Sequence, residues 1–298
     1  MRLLLSCLLL LALAPCLTAF AQGETFTCKF APPVGAEYDE LLTKTVVTTY
    51  QGEKQTVVSI GEERVRIERE ANGYRYRYTI GDISQTRNGA PMPANTWTKG
   101  LIITDFINLK GELTGIAGVQ AFRERIKKYT PPDSVNAMLA KASDKYFLTY
   151  EKIDWERRVA RFLGREVRVG DTWIDTVAIL LPNDERLPVY RATTITEKVM
   201  RNNKALLRIT VKCRSKADGL ATAIGRTTAE VIGAVPEPLP VEEDVEFASN
   251  SEILLDPATM LYHGEIIATR TILYMVTPDR RKIPIDTMEQ KKFRITYR

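Results

Sequence analysis

Side chains able to do chemistry are few and scattered in this sequence. There is one histidine, His263, in the run Tyr262-His263-Gly264-Glu265. An imidazole titrating near about pH 6.5 is a ready general base. A base needs a nucleophile, however, and no G-x-S-x-G, G-x-x-x-x-G-K-[ST] or G-x-G-x-x-G motif occurs. The absence of H-E-x-x-H and C-x-x-C, together with the lone histidine, argues against zinc-type sites. The run Glu242-Glu243-Asp244 has the residue types for acid–base work or Ca²⁺ binding, but not the EF-hand spacing. It follows the Pro-rich Val235 to Val241, which is expected to be an extended connection, so the run reads as solvated charge. No catalytic residue, metal site or cofactor is expected, and the chain reads as a non-enzyme.

Two arginine-rich segments have other possible uses. Arg157, Arg161 and Arg165 are spaced four apart and would form a basic stripe on a helix, extended by Arg158. Such a stripe can meet anionic lipid. Glu151, Asp154 and Glu156 lie close enough to offset it, so a solvated helix face is expected. The second segment is Glu63 to Ile80, where Asn72-Gly73 is a strong two-residue hairpin signal. With that loop, Glu70 faces Arg75, Glu68 faces Arg77, Ile67 faces Tyr78 and Val65 faces Ile80. One face then carries Val65, Ile67, Tyr74, Tyr76, Tyr78 and Ile80, the candidate lining of an apolar cavity. The other face carries matched opposite charges, which excludes a nucleic-acid footprint.

The N-terminus reads as an export leader. Met1-Arg2 is positive, Leu3 to Leu13 is nearly all apolar, and Ala19-Phe20-Ala21 offers a cleavage site. The apolar run is too short to span a bilayer of roughly 30 Å. The expected mature start is Gln22, with residues 1–21 as signal peptide and a secreted or periplasmic destination. Cys16 sits in a weak lipobox, with Pro15 where a small residue belongs, so a lipid anchor is not expected. No later stretch is long and apolar enough for a transmembrane helix. Cleavage leaves Cys28 and Cys213, a candidate disulfide closing a loop of about 185 residues and constraining the unfolded chain by roughly 5 kcal/mol.

These residues need a scaffold, and the patterning supplies one. The chain has 298 residues, a net charge of +5 and 44% hydrophobic residues, a globular composition. Thr- and Val-rich alternating runs fill Ala36 to Ile83, and Leu101 to Ile116 reads as a hairpin turning at Asn108 to Gly111. Helical spacing covers Val119 to Lys128, Asp133 to Ala142 with Asp133 as N-cap, and Lys145 to Leu163, stopped by Gly164. Strands resume after Gly170, with a hairpin at Asn202-Asn203. The expected layout is a first β half over 22–117, a helical insert over 118–163 and a second β half over 164–298. Two segments recur in order. Val34-Gly35-Ala36-Glu37-Tyr38 is echoed by Val169-Gly170-Asp171-Thr172-Trp173, and Asn108 to Leu113 by Asp256 to Leu261. The fold class is therefore mainly β with a helical insert, a duplicated, curved antiparallel sheet or half-barrel covered by helices.

The run Arg165-Glu166-Val167-Arg168-Val169-Gly170-Asp171-Thr172-Trp173, with helices before it and strands after it, resembles an uncharacterised family of exported bacterial proteins. Its members carry a V-x-V-G-D-x-W signature near mid-chain, a similar opening in the first half and a late D-x-x-[GT]-x-L hairpin, here Asp256 to Leu261. The resemblance implies no catalytic residues. More distantly, the layout resembles the half-barrels of periplasmic lipoprotein carriers, in which a curved sheet is covered by helices over an apolar cavity. The expectation is an envelope protein that binds a lipophilic ligand or a protein partner. The alternatives are an interaction module without ligand and a carboxylate-based hydrolase.

Overall fold

The computed structural model describes residues 23–93, 96–130, 135–136, 139, 142–180, 186–215, 245–276 and 281–298. The expected leader with Cys16, the expected Asp133 cap, the Pro-rich segment and Glu242-Glu243-Asp244 lie outside the described residues.

Long alternating strands dominate. In chain order they are β1 (Thr25–Thr27), β2 (Glu37–Tyr50), β3 (Glu53–Glu70), β4 (Gly73–Arg87), β5 (Ala90–Pro91), β6 (Ile102–Asn108) and β7 (Leu113–Ala117). After the helical stretch come β8 (Glu166–Arg168), β9 (Thr172–Leu180), β10 (Arg186–Arg201), β11 (Lys204–Ser215), β12 (Val245–Leu255), β13 (Tyr262–Val276) and β14 (Lys282–Tyr297). β1 and β8 form a small separate pair. Among the described residues the rest make one antiparallel sheet of twelve strands, ordered β7-β6-β4-β3-β2-β14-β13-β12-β11-β10-β9, with β5 added to β4. The two halves of the chain therefore share a single sheet. Their seam is β2 against β14, where Leu42 faces Phe293 and Tyr38 faces Tyr297. β7 and β9 end the order and do not pair with each other, so the sheet curls without closing.

The turns follow local chemistry. Asn202 and Asn203, at φ 49° and 60°, form a two-residue loop between β10 and β11, as their types predict. The β3–β4 hairpin departs from expectation. Its loop is Ala71-Asn72, and Glu70 pairs with Gly73, Glu68 with Arg75 and Ile67 with Tyr76. The register is two residues away from that of an Asn72-Gly73 loop, which preserves the two faces and changes every partner. Gly73 explains the difference. A Cβ there would lie 2.0 Å from the Ile107 carbonyl oxygen and 2.8 Å from the Asn108 Cα. The glycine lets β6 approach β4 closely; it does not supply a left-handed turn. Arg75 still bonds Glu68 at 2.7 Å, but Arg77 stands opposite Arg66, so that face is less fully matched than expected.

The recurring segments bond alike. Gly35 N donates to Ile67 O at 2.8 Å and Ile67 N to Ala36 O at 3.0 Å. Gly170 N donates to Ile195 O at 2.8 Å and Ile195 N to Asp171 O at 2.9 Å. Both glycines have positive φ, 82° and 98°. At the later turns, Asn108 Oδ1 accepts from Lys110 N and Asp256 Oδ1 from Ala258 N, each at 2.9 Å.

Helix α1 (Val119–Tyr129) buries Val119 and Ile126. Helix α2 (Asp144–Arg158) is capped by Ser143, whose side chain accepts from Tyr146 N at 3.1 Å. It ends in a 3-10 turn, Ala160–Phe162, short of the predicted Leu163. α2 packs against both β7 and β9 and so bridges the open side of the curl. Trp155 Nε1 donates to Gly111 O at 2.7 Å, tying the helix to the β6–β7 turn. The expected solvated arginine stripe is not one. Arg161 is buried, Arg158 and Arg157 turn inward to carboxylates, and Arg165 lies over the Trp173 ring at 5.2 Å. The helix lies against the sheet on that side, so its arginines meet protein rather than water.

The expected Cys28–Cys213 disulfide is not formed. Both are free thiols, Cys28 buried and Cys213 half-buried. Cys28 N is tied to Arg165 O beside the β1–β8 pair, whereas Cys213 sits on β11 opposite Arg191. Burial raises both thiol pKa values, Cys28 to about 11 against a lesser opposing effect of Arg165. They are inert core residues.

Candidate functional site

Alternation along β2, β3, β4 and β6 places every second side chain on the concave face. On β2 these are Tyr38, Glu40, Leu42, Lys44 and Val46. Their cross-strand partners on β3 are Val65, Glu63, Gly61, Ser59 and Val57. Helical spacing turns Phe147, Glu151, Asp154, Trp155 and Arg158 of α2 toward the same space. Between sheet and helix lies a cavity of about 830 Å³, within the range of small-molecule sites. α2 has no fully buried residue, because its inner face lines this space.

The acids gather toward one end of the cavity, and the cross-strand rows then run from Glu40–Glu63–Ile80 through Leu42–Gly61–Ile83 and the polar Lys44–Ser59–Gln85 to Val46–Val57. Leu42, Val46, Val57, Ile80, Ile83, Ile103 and Phe147 supply apolar wall. Glu40, Glu63, Asp105, Glu151, Asp154 and Arg158 are gathered on the same lining. Glu40 faces Glu63 directly across β2 and β3. Asp105 faces Tyr76 on β4 and is 2% exposed, and its Oδ1 has no hydrogen-bond partner among the described residues. The Tyr262 hydroxyl donates to Glu40 and accepts from Arg158 Nη1 at 2.7 Å. Arg158 lies 2.9 Å from Asp154 and stacks on the rings of Tyr262 and Phe293, at 4.8 and 4.7 Å.

These surroundings set the protonation states. Burial, then repulsion from Glu40 against a lesser pull from Arg158, pushes Glu63 up to about 7. Burial and the charge of Glu151 push Asp105 up to about 8, despite a bond from the Tyr78 hydroxyl. Burial and Asp154 push Glu151 up to about 7. Burial also acts on Asp154, but Arg158 and Arg157 hold its carboxyl below the ordinary range. Near neutral pH the cavity thus holds ionised and half-protonated carboxyls side by side.

The structure divides the six residues of the sequence-predicted lining between cavity and core. Tyr76, Tyr78 and Ile80 line the cavity. Val65 and Ile67 are fully buried core, and half-buried Tyr74 packs edge-to-face on Phe30 at 5.3 Å. The carboxyls were not anticipated. Their sequence signal is a charged residue at an inward position of an apolar alternation: Glu40 between Tyr38 and Leu42, Glu63 before Val65 and Ile67, Asp105 between Ile103 and Ile107. His263 stacks beside Tyr297 at 4.7 Å, and burial lowers it to about 4, so it is neutral and structural. Among the described residues no group of three or more His, Cys, Asp or Glu is arranged to hold a metal ion, and no helix is long and apolar enough to cross a membrane.

No family model matches the sequence, and no curated protein matches it. Among solved structures the chain is similar to lipovitellin, described for its lipid–protein interactions, at 9% identity and a TM-score of 0.44. That match covers 89% of this chain and 25% of the lipovitellin chain, so the chain spans about a quarter of that protein. It is also similar to a protein with a YmcC-like fold from Bacteroides fragilis, at 8% identity and a TM-score of 0.25, covering 91% of this chain and 99% of that one. The β domain of the Bordetella autotransporter BrkA matches at 10% identity and a TM-score of 0.23, covering 87% and 99%.

Proposed function

We propose that this chain is an exported, non-enzymatic binder of a lipophilic ligand held between the concave sheet and α2. The observation that carries this reading is the cavity of about 830 Å³ with its wall of Leu42, Val46, Val57, Ile80, Ile83 and Ile103. An apolar wall left unfilled costs packing and hydration free energy that a ligand tail recovers. The shared bonding at Gly35 and Gly170, and at Asn108 and Asp256, supports two halves built on one repeated meander. In this view β14 is the added strand that joins the copies. The leader supports a secreted or periplasmic location, and the partner is the ligand itself or an envelope component that delivers it.

Native mass spectrometry of protein purified from its own cell envelope tests the reading. A bound species of lipid mass is expected, and Ile83→Trp, which fills the wall, should displace it. A ligand-free spectrum that stays unchanged when lipid extract is added would overturn the proposal.

One observation favours a second reading, a carboxylate-based hydrolase. Glu151 is raised to about 7 by burial and by Asp154, while Asp154 in the same cavity stays ionised, the division between general acid and partner that such chemistry uses. Turnover of aryl glycosides or esters that disappears in Glu151→Gln supports it. Absence of turnover across both substrate classes removes it.

A further inference from the structure

The concave face carries an asymmetry that the fold does not demand. Counting along the strands from the matched bonds at Gly35–Ile67 and Gly170–Ile195 puts Glu40 where Asp175 stands, and Glu63 where Arg191 stands. Counting back from the Asn108 and Asp256 turns puts Asp105 where Ile253 stands, and the cross-strand pairs agree: Tyr76 with Asp105, Ile209 with Ile253. In the second half these positions hold an ion pair, Arg191 Nε to Asp175 Oδ1 at 2.8 Å, and a fully buried isoleucine. In the first half they hold three carboxyls. α2 adds Glu151 and Asp154.

The cations nearby are already committed. Arg158 is shared by Asp154, the Tyr262 hydroxyl and two aromatic faces. Lys44 and Lys291 both bond Glu289, at 2.8 and 2.9 Å. The groups facing the carboxyls are thus Tyr38, Glu40 and Lys44 from β2, Glu62 and Glu63 from β3, Tyr76 and Tyr78 from β4, Glu151, Asp154 and Arg158 from α2, Tyr262, and Lys291 from β14. Asp105 Oδ1, buried on this lining, is left without a donor among the described residues. A buried carboxyl oxygen with no partner, among carboxylates that repel one another, is a place for a cation.

We propose that the polar end of this cavity takes the ammonium head of a single-chain amphiphile, with the alkyl chain against Leu42, Val46, Val57, Ile80 and Ile83. This deepens the reading of the cavity as a lipophilic site and rests on it. An ammonium offers three donors and a positive charge, so it satisfies Asp105 and relieves the Glu40–Glu63 repulsion together. A hydroxyl head brings no charge, and an anionic head adds to the repulsion. A small inorganic cation leaves the apolar wall unused. Binding draws Glu63, Glu151 and Asp105 into the ionised state, so protons leave as the ligand enters and affinity rises with pH through the neutral range.

The test is calorimetry on the full chain with dodecylammonium, dodecanol and laurate, each below its aggregation concentration, at about pH 6 and pH 8.5. The expected result at the higher pH is dodecylammonium binding about tenfold or more tighter than either analogue. Its advantage should shrink at the lower pH, with proton release visible as a dependence on buffer ionisation heat. Asp105→Asn should cut the preference for the amine over dodecanol by several-fold. Glu151→Gln, at a half-buried helix position, provides the same comparison if the strand variant does not fold. Equal binding of all three, or tightest binding of laurate, overturns the ammonium assignment and leaves the lipophilic cavity standing. No binding of any of the three to folded protein overturns both.

Discussion

Glu40 and Glu63 stand directly opposite each other on adjacent strands, facing inward. Like charges so placed destabilise a sheet by about 0.2–1 kcal/mol. Glu63→Gln is therefore expected to stabilise the free protein by up to about 1 kcal/mol at about pH 8 and to change little at about pH 5, where Glu63 is already protonated. Urea unfolding at the two pH values measures this.

The same carboxyls set the pH dependence of stability. Glu63, Glu151 and Asp105 have folded pKa values near 7, 7 and 8, above their unfolded values. Once pH exceeds the unfolded values, the unfolded chain has released protons that the folded chain retains. Stability should then fall as pH rises from about 5 to about 8, and level off above that. The opposite slope in thermal melts across this window would show that the cavity carboxyls are not buried as described.

Gly73 has room for no side chain. Gly73→Ala places a methyl 2.0 Å from the Ile107 carbonyl oxygen, so β6 must move. A loss of about 1–3 kcal/mol is expected in urea unfolding. Asn72→Ala, in the adjoining loop, should cost well under half of that.

Trp155 joins α2 to the sheet through its bond to Gly111 O and its contacts with Phe30 and Tyr76, at centroid distances of 5.9 and 5.6 Å. Trp155→Phe removes the bond and part of the ring. A loss of about 1–2 kcal/mol is expected, with looser attachment of α2 seen as faster amide exchange over residues 144–158.

Cys28 and Cys213 remain thiols. Alkylation of denatured, unreduced protein should modify both, and thermal melts with and without reductant should coincide. A lower melting temperature under reductant would contradict the structure.

What was legible in the sequence is what depends on near neighbours. The alternation in Glu63 to Ile80 placed the right residues on each face, and the Asn202-Asn203 pair marked a true two-residue loop. The register of the β3–β4 hairpin was misread because the reason for Gly73 lies on β6, more than thirty residues away. The arginine stripe was misread because a helix face alone does not say what packs on it; Arg158 finds Tyr262 and Phe293 across more than a hundred residues. The carboxyl cluster draws on β2, β3, β6 and α2, each contributing one or two acids with no local spacing to mark them. Only the sheet order brings them together.

That order also governs how the molecule is made. The pairing of Leu42 with Phe293 joins the earliest long strand to the latest, so the middle of the sheet is the part whose residues are farthest apart in sequence. Closing so large a loop is slow relative to forming the neighbouring hairpins. Until residues 282–297 are synthesised and dock, β2 offers an unsatisfied edge, and the cavity lacks the wall that Lys291 and Phe293 provide. The complete cavity therefore arrives in a single late step, and a nascent chain at this stage is the form most in need of a chaperone.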